Sequence, residues 1–193
     1  MKRLVYDRLL EWKNKVDRKP LVLNGARQVG KTWILKEFGA NEYSNMAYIN
    51  CDEVEEMKTL FYDFDTERLI RNFSVLSGEV IKPEETLIIL DEIQVVPLAL
   101  TSLKYFCEDA KEYYIIGAGS LLGVHINRKE FSFPVGKVDF LTIYPLSFEE
   151  FLINTNNVLL IDKIRECFKS NQTMPDSIHK KALELYYDYL SIG

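Results

Sequence analysis

The chain has 193 residues, 47% hydrophobic and 27% charged, with a formal net charge of −5. That composition suits one ordinary globular domain with a substantial core, perhaps carrying a small appendage, and it gives no global attraction to nucleic acid or anionic lipid. Cys51, Cys107 and Cys167 are too far apart for a metal knuckle or a disulfide framework, the amino terminus lacks a signal-peptide run, and no stretch approaches the ~18 apolar residues of a membrane span, so a cytoplasmic protein without membrane contact is expected.

In chain order, residues 5–18 predict an amphipathic leading helix, with Tyr6, Leu9, Leu10 and Val16 on one side. Residues 20–24 (Pro-Leu-Val-Leu-Asn) are a short apolar run of the kind a buried parallel strand shows. Gly25-Ala26-Arg27-Gln28-Val29-Gly30-Lys31-Thr32 follows, matching the G-x-x-x-x-G-K-[ST] phosphate-binding loop. After it, residues 33–39 from Trp33 read as a short helix closed by Gly39. Strand, glycine-rich turn and helix form the context in which that loop works. Its glycines let backbone amides converge on phosphate oxygens at a helix amino terminus. Lys31 is then the side chain for the β- and γ-phosphates, and the Thr32 hydroxyl is a ligand for Mg²⁺.

Residues 46–51 predict a second strand, and helices are expected over 53–61 and 66–77, the latter stopped by Gly78. Residues 86–92 run Thr-Leu-Ile-Ile-Leu-Asp-Glu, a strand apolar on both faces that ends in two acids. An acid at the carboxyl end of such a strand lies in the crevice where open α/β sheets bind ligands. Asp91 is therefore assigned to the magnesium ion, and Glu92 to orienting and deprotonating a water that attacks the γ-phosphate. The plainer alternative is a strand that merely ends in solvent. Pro97 opens a helix to about Lys111; residues 113–117 and 138–144 are the fourth and fifth strands, and 120–136 is mixed helix and loop. Ser147-Phe148-Glu149-Glu150 has capping-box spacing, and the remainder reads as helical, with Ile161, Ile164 and Phe168, then Ile178, Ala182, Leu185 and Tyr189, recurring. The fold class is α/β: a parallel sheet flanked by helices with a helical appendage, divided into a nucleotide-binding core at 1–146 and a helical part at 147–193.

The phosphate loop, Leu87-Ile88-Ile89-Leu90-Asp91-Glu92-Ile93-Gln94 and Tyr144-Pro145-Leu146-Ser147-Phe148-Glu149-Glu150-Phe151 together resemble a large prokaryotic family of AAA-superfamily ATPases. Its members pair an amino-terminal ATPase domain with a carboxy-terminal domain of unknown function. The resemblance covers about residues 3–193. It implies a strand order of 5-1-4-3-2, ATP as the nucleotide, an incomplete helical lid at 147–193, and a chain that is the amino-terminal part of a longer protein. It also makes Ser120, after Gly117-Ala118-Gly119, the residue that senses the γ-phosphate, although a serine there also suits a helix cap. Where relatives carry Gly-Arg before the fifth strand this chain has Gly136-Lys137, and lysine lacks arginine's bidentate fork, which leaves Arg128 as the replacement candidate.

His125 and His179 lack ligand spacing, Lys180-Lys181 is too small a footprint for nucleic acid, and Tyr186, Tyr187 and Tyr189 read as core aromatics. Gln94 is either a structural hydrogen-bonding residue or a reporter on the attacking water. The expected function is Mg²⁺-dependent ATP binding and hydrolysis, driving a conformational change in a larger protein that acts with a partner protein or with other copies of itself. A nucleotide switch with little turnover and a phosphate-loop kinase are the alternatives. No arginine-rich lid or acceptor site speaks for the kinase, and DNA handling finds no support in this chain.

Overall fold

The apolar runs become five parallel strands among the described residues, β1 (Leu21–Asn24), β2 (Asn45–Asn50), β3 (Thr86–Asp91), β4 (Tyr114–Gly119) and β5 (Asp139–Thr142). Their order is β2-β3-β4-β1-β5, the expected 5-1-4-3-2 seen from the other edge. The computed structural model describes residues 1–53, 57–120 and 136–192. The expectations placed on 121–135, Arg128 and His125 among them, and on residues 54–56 of the helix read over 53–61 lie outside these.

Alternation along the strands builds two cores. Leu21, Leu23, Leu87, Ile89, Ile116 and Ala118 face α1 (Val5–Lys13) and α2 (Lys31–Glu42), where Leu9, Trp12, Ile34, Leu35 and Phe38 complete one cluster. On the other face Val22, Ile49, Ile88, Leu90 and Ile115 meet α3 (Met57–Leu60), α4 (Thr66–Ser77) and α5 (Pro97–Asp109), through Phe61 just after α3 and through Phe73, Leu103 and Phe106. Every residue of β3 is buried, as a strand covered on both faces must be. Phe38, Phe61 and Phe73 have no exposed surface, and burying each stabilises the fold by about 2–3 kcal/mol.

Several boundaries differ from the periodicity, each for a local reason. The first helix stops at Lys13 rather than 18: after the Asn14 amide's bond to Leu10 the next amide, Lys15, turns to Trp12 only three residues back, and the Asn14 side chain also caps Leu10. Val16 is consequently exposed, and Trp12 is the inward residue, donating its indole N–H to the Lys19 carbonyl at 2.8 Å. Gly39 does not close α2, which continues to Glu42. A Cβ at Gly39 would lie 2.5 Å from Met46 Sδ, so this glycine serves the close approach of α2 to β2. Gly78, by contrast, does terminate α4, in the left-handed conformation at φ 73°. The fourth strand starts at Tyr114 and runs on to Gly119, two residues past the expected end.

The chain divides into two compact units, Val5–Ile143 and Tyr144–Gly193, the latter joined by Met1–Leu4. The second unit contains α6 (Phe148–Asn154), α7 (Val158–Ser170) and α8 (Asp176–Ile192). The capping box is formed in full, with Ser147 and Glu150 each accepting from the other's backbone amide. Glu150 also receives Arg3 Nε at 3.0 Å and the Leu4 amide at 2.8 Å, while an Arg3 guanidinium nitrogen donates to the Tyr144 carbonyl at 2.7 Å. These contacts, with Lys2 against Asn154, explain why the first four residues belong to the helical unit. Phe148, Phe151 and Tyr189 cluster at its centre, whereas Phe168 is exposed despite its helical recurrence, as is Tyr187.

Glu150 is 4% exposed. Burial alone would raise its carboxyl, but the Ser147 and Leu4 amides and the Arg3 guanidinium outweigh that and hold it below the usual glutamate value. Its charge therefore contributes to stability fully above the ordinary glutamate value of about 4.3, and the contribution is lost as pH falls through the lowered folded value. Glu150→Ala strands a buried guanidinium, and denaturant titration at neutral pH should read a loss of about 3–5 kcal/mol in the helical unit, shrinking towards acid pH.

Candidate nucleotide-binding site

Three strands of the first unit deliver the site at their carboxyl ends. The glycine-rich loop leaves β1, Asp91 is the last residue of β3, and Ser120 follows β4, which lies between those two strands. Asn24, just before the loop, is paired in register with Gly119, just before Ser120. Strand order thus brings together segments that are about a hundred residues apart in sequence.

The loop is shaped by two left-handed residues, Gln28 at φ 65° and Gly30 at φ 89°, the second directly preceding α2. Gly25 is required for a different reason. A Cβ there would lie 2.5 Å from the Ile143 carbonyl oxygen, so the chain beyond β5 crosses too closely for any side chain. Ala26, Arg27, Gln28 and Trp33 are exposed, Val29 and Lys31 are buried, and Gly30 and Thr32 are half-buried. The amides of the first turn of α2 have no partner within the helix, which makes that terminus suited to an anion.

Lys31 donates to the carbonyls of Gly25 at 3.0 Å and Ala26 at 2.7 Å, both in its own loop. Burial lowers its ammonium, while Glu92 and Asp91 pull it back up. Thr32 Oγ1 donates to Asp91 Oδ2 at 2.6 Å, which joins the loop to the acid of β3. Asp91 Oδ1 accepts the Glu92 amide at 3.0 Å, and the carboxylate residue is 3% exposed.

Glu92 itself stands at φ 51°, in the left-handed region, which costs a residue with a side chain on the order of 1 kcal/mol. Its side chain accepts from Gln94 Nε2 at Oε2. Ser120, directly after β4, is 2% exposed, and its competing role as a helix cap falls on residues outside those described.

The sequence missed Tyr48. Its hydroxyl donates to Asp91 Oδ2 at 2.9 Å, the oxygen that Thr32 also uses. Burial raises its phenol well above the ordinary value and the Asp91 charge adds to that, so it remains a donor. The available signal was the pairing of Asn50 with Asp91, which puts Tyr48 on the same face two residues earlier, but that pairing needs the register. Cys51 is also close, yet burial pushes its thiol up to about 12, with Asp91 and Glu92 adding to it, so it is a poor nucleophile.

Mg²⁺ requires hard oxygen donors. One carboxylate and one hydroxyl, both hard oxygen donors, suit an ion that is commonly held by one or two carboxylates together with substrate phosphates. Among the described residues no group of three or more His, Cys, Asp or Glu forms a metal cage. Two carbonyl oxygens near the site, Asn24 Oδ1 and Gln94 Oε1, are buried and have no hydrogen-bond partner among the described residues. The residues present fit a phosphate-bound magnesium ion.

Residues 17–152 match the family described as the AAA domain, and the chain belongs to that family, a class of nucleotide-binding domains. None of the curated proteins matches the chain. Among solved structures it is similar to the ORC1 protein of Aeropyrum pernix in complex with DNA, with a TM-score of 0.47 and 16% sequence identity. That match covers 80% of this chain and 48% of the other, so the chain spans about half the length of that relative. No helix among the described residues is long and apolar enough to cross a membrane.

Because the atom blocking Gly25 is backbone, Gly25→Ala forces β1 and the chain after β5 apart. The melting transition should report a loss of about 1–3 kcal/mol, accompanied by weaker nucleotide binding.

Proposed function

We propose that this chain binds ATP with Mg²⁺ and hydrolyses it, and that hydrolysis drives a conformational change in a larger protein. The observation that carries the reading is the 2.6 Å bond from Thr32 to Asp91, which unites the phosphate loop with the acid of β3. Family membership supports nucleotide binding, and the hard-oxygen donor pair supports the choice of magnesium.

In this reading the amides from Ala26 to Trp33 cradle the phosphates. Lys31 exchanges the Gly25 and Ala26 carbonyls for β- and γ-phosphate oxygens, keeping a buried cation paired throughout. Thr32 and Asp91 would hold Mg²⁺, which supplies charge neutralisation on the phosphates. Glu92 accepts a proton from the attacking water at the carboxylate that Gln94 orients. Ser120, buried at the end of β4, is the group we assign to reading the γ-phosphate. The unit of Val5–Ile143 is then the ATPase core, and the unit ending the chain is part of a lid. Partner proteins or further copies of the chain would receive the motion, and nothing in these residues calls for nucleic acid.

Two substitutions separate binding from chemistry. Lys31→Ala should abolish the ATP-induced rise in melting temperature, which in the wild type corresponds to about 2.7 kcal/mol at a hundredfold excess over Kd. Glu92→Gln should keep that rise while phosphate release falls by a factor of about 10²–10⁴. Equal rates of phosphate release in wild type and Glu92→Gln would remove Glu92 from the mechanism.

A further inference from the structure

Tyr48 has no place in the mechanism above, although its hydroxyl ends on the same carboxylate oxygen as Thr32, at 2.9 Å against 2.6 Å. Its position is tightly set. Asn50 opposes Asp91 across the β2–β3 ladder, and Tyr48 shares that face two residues earlier. Its ring packs on the cluster between the sheet and the α1–α2 layer, and Lys36 Nζ lies 3.9 Å from its centroid on the side of α2. Asp91 of β3 holds the hydroxyl, while Lys36 of α2 and the apolar cluster hold the ring.

Asp91 accordingly accepts three donors, Thr32 and Tyr48 on Oδ2 and its neighbour's amide on Oδ1. The amide and the Thr32 hydroxyl come from segments that nucleotide binding engages. Tyr48 comes from β2, which holds none of the residues assigned above to the nucleotide or the metal. The geometry points to Tyr48 as a positioning residue for the divalent-cation site, fixing the rotation of the Asp91 carboxylate so that it and the Thr32 hydroxyl present adjacent oxygens to the ion. A partner outside the coordination shell orients a ligand and lowers the cost of ordering it when the metal arrives. Tyr48 touches neither substrate nor water in this role, so its effect passes entirely through Asp91. The inference rests on the reading of Thr32 and Asp91 as the magnesium ligands.

The test is binding of a fluorescent ATP analogue to wild type and Tyr48→Phe across a Mg²⁺ titration, with a parallel series in EDTA. Phenylalanine keeps the ring and its contacts, so only the hydroxyl is removed. The Mg²⁺ midpoint should rise about tenfold in the variant. Nucleotide affinity in EDTA should stay at the wild-type value, while the ligand-free melting temperature falls because a buried carboxylate loses one donor. Mn²⁺ water-proton relaxation, measured below both melting transitions, should report the same midpoint shift on folded protein, whatever the variant's stability. A variant with the wild-type metal midpoint overturns the inference, as does one that loses affinity equally with and without metal. A wild type whose nucleotide binding ignores Mg²⁺ overturns the metal assignment of Thr32 and Asp91 along with it, and that arm tells the two failures apart.

Discussion

A carboxylate at the end of a fully buried strand must find most of its hydrogen bonds inside the protein, because little of it is exposed. β3 is buried along its whole length, and Asp91 inherits that environment. An unpaired charge there would cost several kcal/mol, so the surrounding elements arrange donors around it. Thr32 comes from the first turn of α2, Tyr48 from β2 and the Glu92 amide from the turn that follows. One side chain thereby ties together the glycine-rich loop, the neighbouring strand and the second acid. The left-handed turn at Glu92 belongs to the same economy, since it returns that residue's amide to Asp91 while carrying its side chain elsewhere.

The other two ionic groups of the site are handled locally. Lys31 leans on carbonyls of its own loop, and Glu92 on the side chain two residues along. These short-range partners are separate from the three donors on Asp91. The long-range bonds fix the frame and the short-range bonds are the ones available for exchange, a division that suits a site whose charges must meet a ligand without unfolding its surroundings.

Much of the fold was legible because its signals are local or periodic. The runs at 21–24 and 86–91 are apolar on both faces, which forces a covered parallel sheet, and the glycine-rich loop announced its own flanks. The capping box at Ser147 and the stop at Gly78 were legible for the same reason. Gly39 misled because a glycine that ends a helix and one that admits a neighbouring side chain look alike until Met46 is in place. Trp12 was overlooked because the turn at Asn14 ends the helical period before Val16. In the candidate site, spacing singled out the loop, Asp91 and Glu92, and the structure brings Thr32 and the Glu92 amide to Asp91. Tyr48 did not, since its importance lies in a hydrogen bond across 43 residues that only the β2–β3 register creates.

The tie between Arg3 and Glu150 bears on how the chain is made. The two residues are 147 positions apart, and Met1–Leu4 belong with the helices that end the chain, while Val5–Ile143 form the other unit. On a ribosome the sheet and its helices emerge ahead of α6 and have their partners at hand. The first four residues emerge before any of them, yet they must wait, with a guanidinium still in water, until α6 has been synthesised. The helical unit therefore cannot close before α6 is made, although Met1–Leu4, which belong to it, precede the whole of the other unit in the chain.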